Sequence, residues 1–236
     1  MRSDLKPFAV LASLVVAACA PSADARSVND STATPAVAST SVGAPEALNG
    51  VIRFAVADSG NLARYRVRER LMGKELDNDA VGETPQVTGA ITVDSTGKLV
   101  AAQSRVTVQT AQFRTDSDRR DNYVRRRLLM TDSFPTVELV PRAVRGTLAP
   151  LLATSGSSGP LKFELVGDMT VRGVTKPTTW QVTATRTGTR LTGTATTSFT
   201  FAEFGIAQPK VPIVLSVADT IRLEYNFALQ REAPAR

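Results

Sequence analysis

Alternation of apolar and polar residues with a period of two runs through residues 47–231 and confines the chain to folds built from half-buried β-strands. In ARYRVRERL, residues 63–71, Ala63, Tyr65, Val67 and Leu71 share one face while Arg64, Arg66, Arg68 and Arg70 share the other; Glu69 is the one charge in the apolar set. LKFELVGDMTV aligns Leu161, Phe163, Leu165, Met169 and Val171, with Gly167 among them. TWQVTA gives Trp180, Val182 and Ala184, and RLTGTATTSF gives Leu191, Ala195 and Phe199 with Gly193. TIRLEYNFAL sets Ile221, Leu223, Tyr225, Phe227 and Leu229 against Arg222, Glu224, Asn226 and Ala228. VTGAITVD and LVAAQSRVTVQT flank the turn Ser95-Thr96-Gly97 and read as a hairpin. Strands of this kind at short intervals make an all-β antiparallel barrel or a sandwich; either buries one face of each strand, so the period does not choose between them.

The residue inventory narrows function further. The chain has no histidine and one cysteine. Histidine acid/base chemistry, Ser-His-Asp and Cys-His nucleophiles, and Cys/His zinc sites therefore have no residues to work with. Carboxylate-only hydrolysis needs a pair of acids in a recognisable setting, and none stands out. No enzyme activity, cofactor or metal is expected. SGSSGP, residues 155–160, lacks the Lys-Ser/Thr that completes a phosphate loop and reads as an ordinary loop.

The N-terminus sets the compartment. MRSDLKPFAVLASLVVAACA has the layout of a secretory leader: Arg2 and Lys6, then an apolar run from Pro7 to Ala18, too short for a membrane span. The run ends in Val16-Ala17-Ala18-Cys19, which resembles a bacterial lipobox with Cys19 as the lipidated residue. Ala20 after it, rather than Asp, points to the periplasmic face of the outer membrane. Ala23-Asp24-Ala25 offers the alternative cut, which would release a soluble periplasmic or secreted protein. Residues 19–46 are rich in Ser, Thr, Ala and Pro and cannot build a core, so they read as a flexible leash. The organisation expected is a leader at 1–18, a lipidated linker at 19–46, a barrel domain at 47–231 and a short tail at 232–236. With a net charge of +6, an exported chain meets anionic lipid rather than nucleic acid.

TDSDRRDNYVRRRLLMTDSFPTVEL, residues 115–139, holds the helix candidate. Thr115 or Ser117 caps it, Asp116 and Asp118 suit its positive end, and Asp121 stands four before Arg125. Val124 and Leu128 face one way, Phe134-Pro135 stops any helix, and most of the arginines are expected in solvent.

These segments resemble the YceI-like proteins. Residues 115–139 follow that family's Thr/Ser-x-Asp, Arg-Asp, short helix, Tyr/Phe-Pro and strand. GDMTVRGVTKPTTWQV, residues 167–182, resembles its G-x-L-T-I-x-G-V-T-K-P-V. Glu203-Phe204-Gly205-Ile206 resembles its D-F-G-I, and YRVRERLMGKELDNDAVGETPQVTGAITVD resembles the branch with an A-V-G-x-T loop. Many members carry a histidine three positions after the arginine of Arg-Asp; here Asn122 and Tyr123 follow Arg120-Asp121, so no role of that histidine transfers. The resemblance implies an antiparallel lipocalin-like β-barrel of about eight strands with one short helix, and an apolar tunnel that holds a polyisoprenoid chain in some members.

Candidates for the tunnel wall are Tyr65, Val67, Ile91, Val93, Phe163, Leu165, Met169, Val171, Trp180, Val182, Phe199, Leu223, Tyr225 and Phe227. Arg119, Arg120 or Arg125 at the mouth would meet an anionic headgroup through guanidinium–phosphate bonds; the alternative for Arg120-Asp121 is a salt bridge or cap tying the helix to the barrel. Lys176 before Pro177 reads as part of a hairpin turn, with phosphate contact as the alternative. The function expected is non-enzymatic binding or transport of a long apolar lipid, a polyisoprenoid or isoprenoid quinone, in the cell envelope. The alternative is a structural or partner-binding barrel with a filled interior.

Overall fold

The computed structural model describes residues 50–73, 75–153, 156–212 and 214–233. Cys19, the leader, the linker and most of the tail lie outside them. Long alternating strands pair with their sequence neighbours throughout, and the sheet closes on itself. β1 (Val51–Val56) and β2 (Leu62–Leu71) are two halves of one run lying antiparallel along β10 (Val214–Arg231). β1 takes the register Phe54↔Arg231 to Val56↔Leu229, and β2 runs from Asn226↔Leu62 to Val214↔Leu71. Between the halves the chain kinks at Gly60, whose φ is +88°. Asn61 clamps this kink: its Nδ2 donates to Ala57 O at 2.7 Å, and its Oδ1 accepts from the Tyr225 hydroxyl at 2.7 Å and from Ala228 N at 3.0 Å.

β3 (Asn78–Thr84) and β4 (Val87–Asp94) repeat the arrangement, with β3 paired to β2 and β4 to β1. β5 (Arg105–Gln109), β6 (Thr136–Arg145), β7 (Ser157–Val171), β8 (Val174–Thr187) and β9 (Arg190–Thr200) then follow in order around the wall. The ring runs β1-β4-β5-β6-β7-β8-β9-β10 and returns to β1. This is the eight-strand barrel that the resemblance implied, and it decides against the sandwich. Eight strands leave an interior that either fills with side chains or holds one slender ligand.

Two helical pieces cover the ends. α1 (Asp118–Tyr123) starts at Ser117, whose Oγ accepts from Arg120 N, and continues as a π-helical turn, Val124–Leu129, that stops at Met130 with φ 52°. α2 (Ala149–Leu152), a single turn not foreseen in the sequence, lies at the opposite end with Leu151 buried. Buried Arg186 fastens that end, donating to the carbonyls of Pro150, Gly156 and Gly188 at 3.2, 2.7 and 3.0 Å.

Local expectations needed correction at three places. The β7–β8 turn is not at Lys176-Pro177 but at Arg172-Gly173, where φ values of 51° and 75° make the tight two-residue turn that suits strand twist. Lys176 and Pro177 pair with Met169 and Asp168 inside β8; β9 begins to pair only at Gln181, so proline's missing N–H falls on an open edge. Residues 157–160 of SGSSGP are the start of β7, Ser157 opposite Thr187, rather than loop. The Ser95-Thr96-Gly97 hairpin is interrupted: after the Val93↔Leu99 bridge the chain makes a 3-10 turn at Ala101–Gln103 before β5 rejoins β4.

Candidate functional site

The barrel is hollow. A cavity of about 870 Å³ runs from the leucines around α2, Leu148, Leu151 and Leu152, to the π-helical turn and the 209–212 segment. That volume lies within the range of small-molecule sites. It is at odds with the filled interior held open by the sequence. Every proposed wall residue, Tyr65, Val67, Ile91, Val93, Phe163, Leu165, Met169, Val171, Trp180, Val182, Phe199, Leu223, Tyr225 and Phe227, lines it.

Two of the aromatic rings leave the axis clear because a glycine sits opposite them. Tyr65 pairs with Gly82 and Phe227 with Gly193. A Cβ on Gly82 would lie 2.2 Å from Tyr65 Cε1, and one on Gly193 would lie 2.6 Å from Phe227 Cζ. The rings therefore lie down against the wall in space that any side chain would occupy. Tyr65 is held there by an edge-on contact with Phe113, ring centroids 5.3 Å apart.

Polar groups enter the lumen at the α1 end. The Glu69 carboxylate, 8% exposed, accepts from Arg120 Nη2 at 2.9 Å, and Arg120 also bonds Asp116. Asp121 is buried; its Oδ1 accepts from Thr115 N and Oγ1 at 2.8 and 2.7 Å, and Arg125 stands 3.9 Å from its other oxygen. Arg120-Asp121 thus ties the helix to β2 and to its own cap. Arg125 donates to Phe113 O and Asn122 Oδ1 and does not line the cavity. Lys176 is exposed on the outer wall, also away from it. Of the proposed headgroup residues only Arg119 and Arg120 reach the lumen, and Arg120 is already neutralised by carboxylates.

One hydroxyl is left over. Tyr65 Oη is buried with no hydrogen-bond partner among the described residues, close enough to Arg120, Asp121 and Glu69 to feel their charges. Burial raises its pKa well above the ordinary tyrosine value, so it stays an O–H donor at any working pH. Sequence reading placed Tyr65 in the wall but missed this role; it also missed Phe113, Leu128, Leu129, Arg126, Arg127 and Lys210 as lining residues. The regular spacing of Leu128-Leu129 after Val124 was the available signal; Phe113 and Lys210 sit in irregular segments and offered none.

A family model described as YceI-like domain matches residues 56–229. The chain belongs to the YceI-like family. No curated protein matches it. Its fold is similar to a polyisoprenoid binding domain from Saccharophagus degradans implicated in plant cell wall breakdown, at 10% identity and TM-score 0.57, covering 76% of this chain and 98% of that one. It is also similar to BcnA of Burkholderia cenocepacia, at 14% identity and TM-score 0.54 over 73% and 98% of the two chains. The YceI protein of Campylobacter jejuni aligns at 16% identity and TM-score 0.51 over 70% and 91%. At these identities the likeness is one of fold.

The segments that carry the family resemblance meet at the α1 end of the barrel. Phe134 packs over Gly173, where an added Cβ would lie 3.1 Å from its ring. The Arg172 guanidinium reaches Gly205 O at 3.3 Å and Met130 Sδ at 3.1 Å. Glu203, standing where YceI-like proteins have Asp, accepts from Thr200 N and Oγ1, which holds its carboxyl below the usual range. The YceI-like motifs here are the scaffold of the mouth.

Proposed function

We propose that this protein is a non-enzymatic carrier of a single polyisoprenoid chain in the cell envelope, with a neutral, carbonyl-bearing head such as a quinone seated beside Tyr65. The observation that carries the reading is the lumen itself: long, lined mostly by apolar side chains, and bounded by the leucines around α2 at one end. Each methylene moved from water into it gains about 0.8 kcal/mol, so a few five-carbon units account for tight retention. Support for a neutral head beside Tyr65 comes from the groups that act on its hydroxyl: Arg120 there faces Glu69 and Asp116 and has little attraction left for a phosphate, whereas the orphan Tyr65 hydroxyl lacks only an acceptor. The polyisoprenoid binding reported for the Saccharophagus degradans domain of the same fold agrees with this cargo. Lipidation at Cys19 and residence at the outer membrane belong to the same proposal.

Native mass spectrometry of protein purified gently from its own envelope, with lipid extraction alongside, tests the cargo. A stoichiometric polyprenyl adduct is expected; a barrel that arrives empty and refuses added polyprenyl quinone sinks the reading. Tyr65→Phe tests the head. It is expected to weaken binding of a polyprenyl quinone about fivefold, the worth of one hydrogen bond, and to leave a headless polyprene unaffected. Equal quinone affinity in both proteins would remove Tyr65 from the site.

A further inference from the structure

Among the described residues the large apolar side chains left in solvent are few: Met72, Leu76, Met130 and Leu215. Met72, Leu76 and Leu215 are 61, 81 and 58% exposed and belong to one place. Met72 and Leu76 flank the β2–β3 turn, and Leu215 is bulged out of β10 between Val214, opposite Leu71, and Ser216, opposite Arg70. Leu71 and Val214 themselves line the cavity, so the protruding trio is continuous with the lumen wall.

Many of the wall's arginines are paired with acids, whereas several cations around this end of the lumen are not. On the outer wall Arg64, Arg68, Arg105, Arg142, Arg145 and Arg222 each hold a carboxylate at 3.4 Å or less. Arg119, Arg126, Arg127 and Lys210 line the cavity at its α1 end with no ion-pair partner among the described residues. The acids of that end that also lack an ion pair among the described residues, Glu75, Asp118, Asp132, Glu203 and Asp219, do not line the cavity. A collar of free cations around an opening, next to a trio of exposed apolar tips, matches an anionic bilayer: headgroups meet the cations while the tips enter the acyl boundary.

We propose that this mouth is a bilayer-docking surface, through which the lumen takes up and returns its chain without exposing it to water. The inference rests on the carrier reading for its purpose but not for its test. Full-length protein carrying Cys19→Ser, so that no lipid anchor contributes, is mixed with vesicles of phosphatidylcholine with and without phosphatidylglycerol, and its binding is measured by flotation. Binding is expected to the anionic vesicles and to weaken with salt. A Met72→Ser/Leu76→Ser/Leu215→Ser variant is expected to lose about tenfold or more of it with an unchanged melting temperature, since all three side chains are already in water. Release of a polyprenyl quinone preloaded into the protein should slow in proportion. Wild-type protein that fails to bind either vesicle, or a triple variant that binds as well as wild type, overturns the proposal. So does release that needs an added acceptor protein. Vesicle binding by protein that carries no cargo separates the two ideas, because it survives even if the polyisoprenoid reading fails.

Discussion

Ala195→Trp is expected to fold as the wild type does and to lose its hold on a polyprenyl quinone by about a hundredfold or more. Ala195 lies on β9 between Val182 of β8 and Tyr225 of β10, and its side chain faces the lumen. An indole there crosses the path of the chain and displaces several methylenes; losing about 3 kcal/mol of apolar burial is a factor of a hundred. In a filled core the same change would force neighbours off their rotamers at about 1–3 kcal/mol. In an open lumen the ring occupies space that is already there. Thermal melting and ligand titration of the one variant therefore read hollowness and function separately. A melting temperature lowered by several degrees would mean that the interior is packed, and unaltered affinity would mean that the ligand lies elsewhere.

The second large effect concerns stability. Arg120→Ala is expected to destabilise the barrel by about 3 kcal/mol, because it leaves the Glu69 carboxylate in the wall without its guanidinium. The figure sits at the low end for a broken buried pair because the Arg120 side chain is 21% exposed and water can partly replace it. Adding Glu69→Gln to Arg120→Ala should recover much of the loss, since a neutral amide is cheaper to leave unpaired than a carboxylate. The coupling between the two changes, read from denaturant midpoints, is the measure. If Arg120→Ala melts within a degree of wild type, the pair is a surface contact and not a tie between helix and barrel.

The wall of the site was legible because lumen-facing positions recur at every second residue of each strand, and that period survives in the sequence whatever the strands pair with. Tyr65, Phe163, Trp180 and Phe227 needed nothing more. Whether those faces enclosed a tunnel was not legible: Tyr65 and Phe227 stay clear of the axis only because Gly82 and Gly193 arrive opposite them from other strands, and register across strands is a tertiary fact. Glu69 shows the boundary well. Its place on an apolar face marked it as needing a partner, yet Arg120 lies in a helix far along the chain, where no local spacing points. The misplaced β7–β8 turn has a similar cause. Pro177 carries a strong turn preference, but a strand edge left open by late pairing of β9 accommodates it, and Arg172-Gly173 provides the turn.

Closure by β10 has a kinetic consequence. The same strand pairs β9 on one side and both β1 and β2 on the other, so the ring cannot be completed by any stretch of chain that stops short of it. Joining Phe54 to Arg231 spans nearly the whole domain, the costliest loop closure the topology contains, and it makes folding slow. A sheet in which that seam has not formed would have two unpaired edges and an apolar face bare to water, features that favour aggregation. Placement of β10 is thus the step on which both the ring and the enclosure of its apolar face depend.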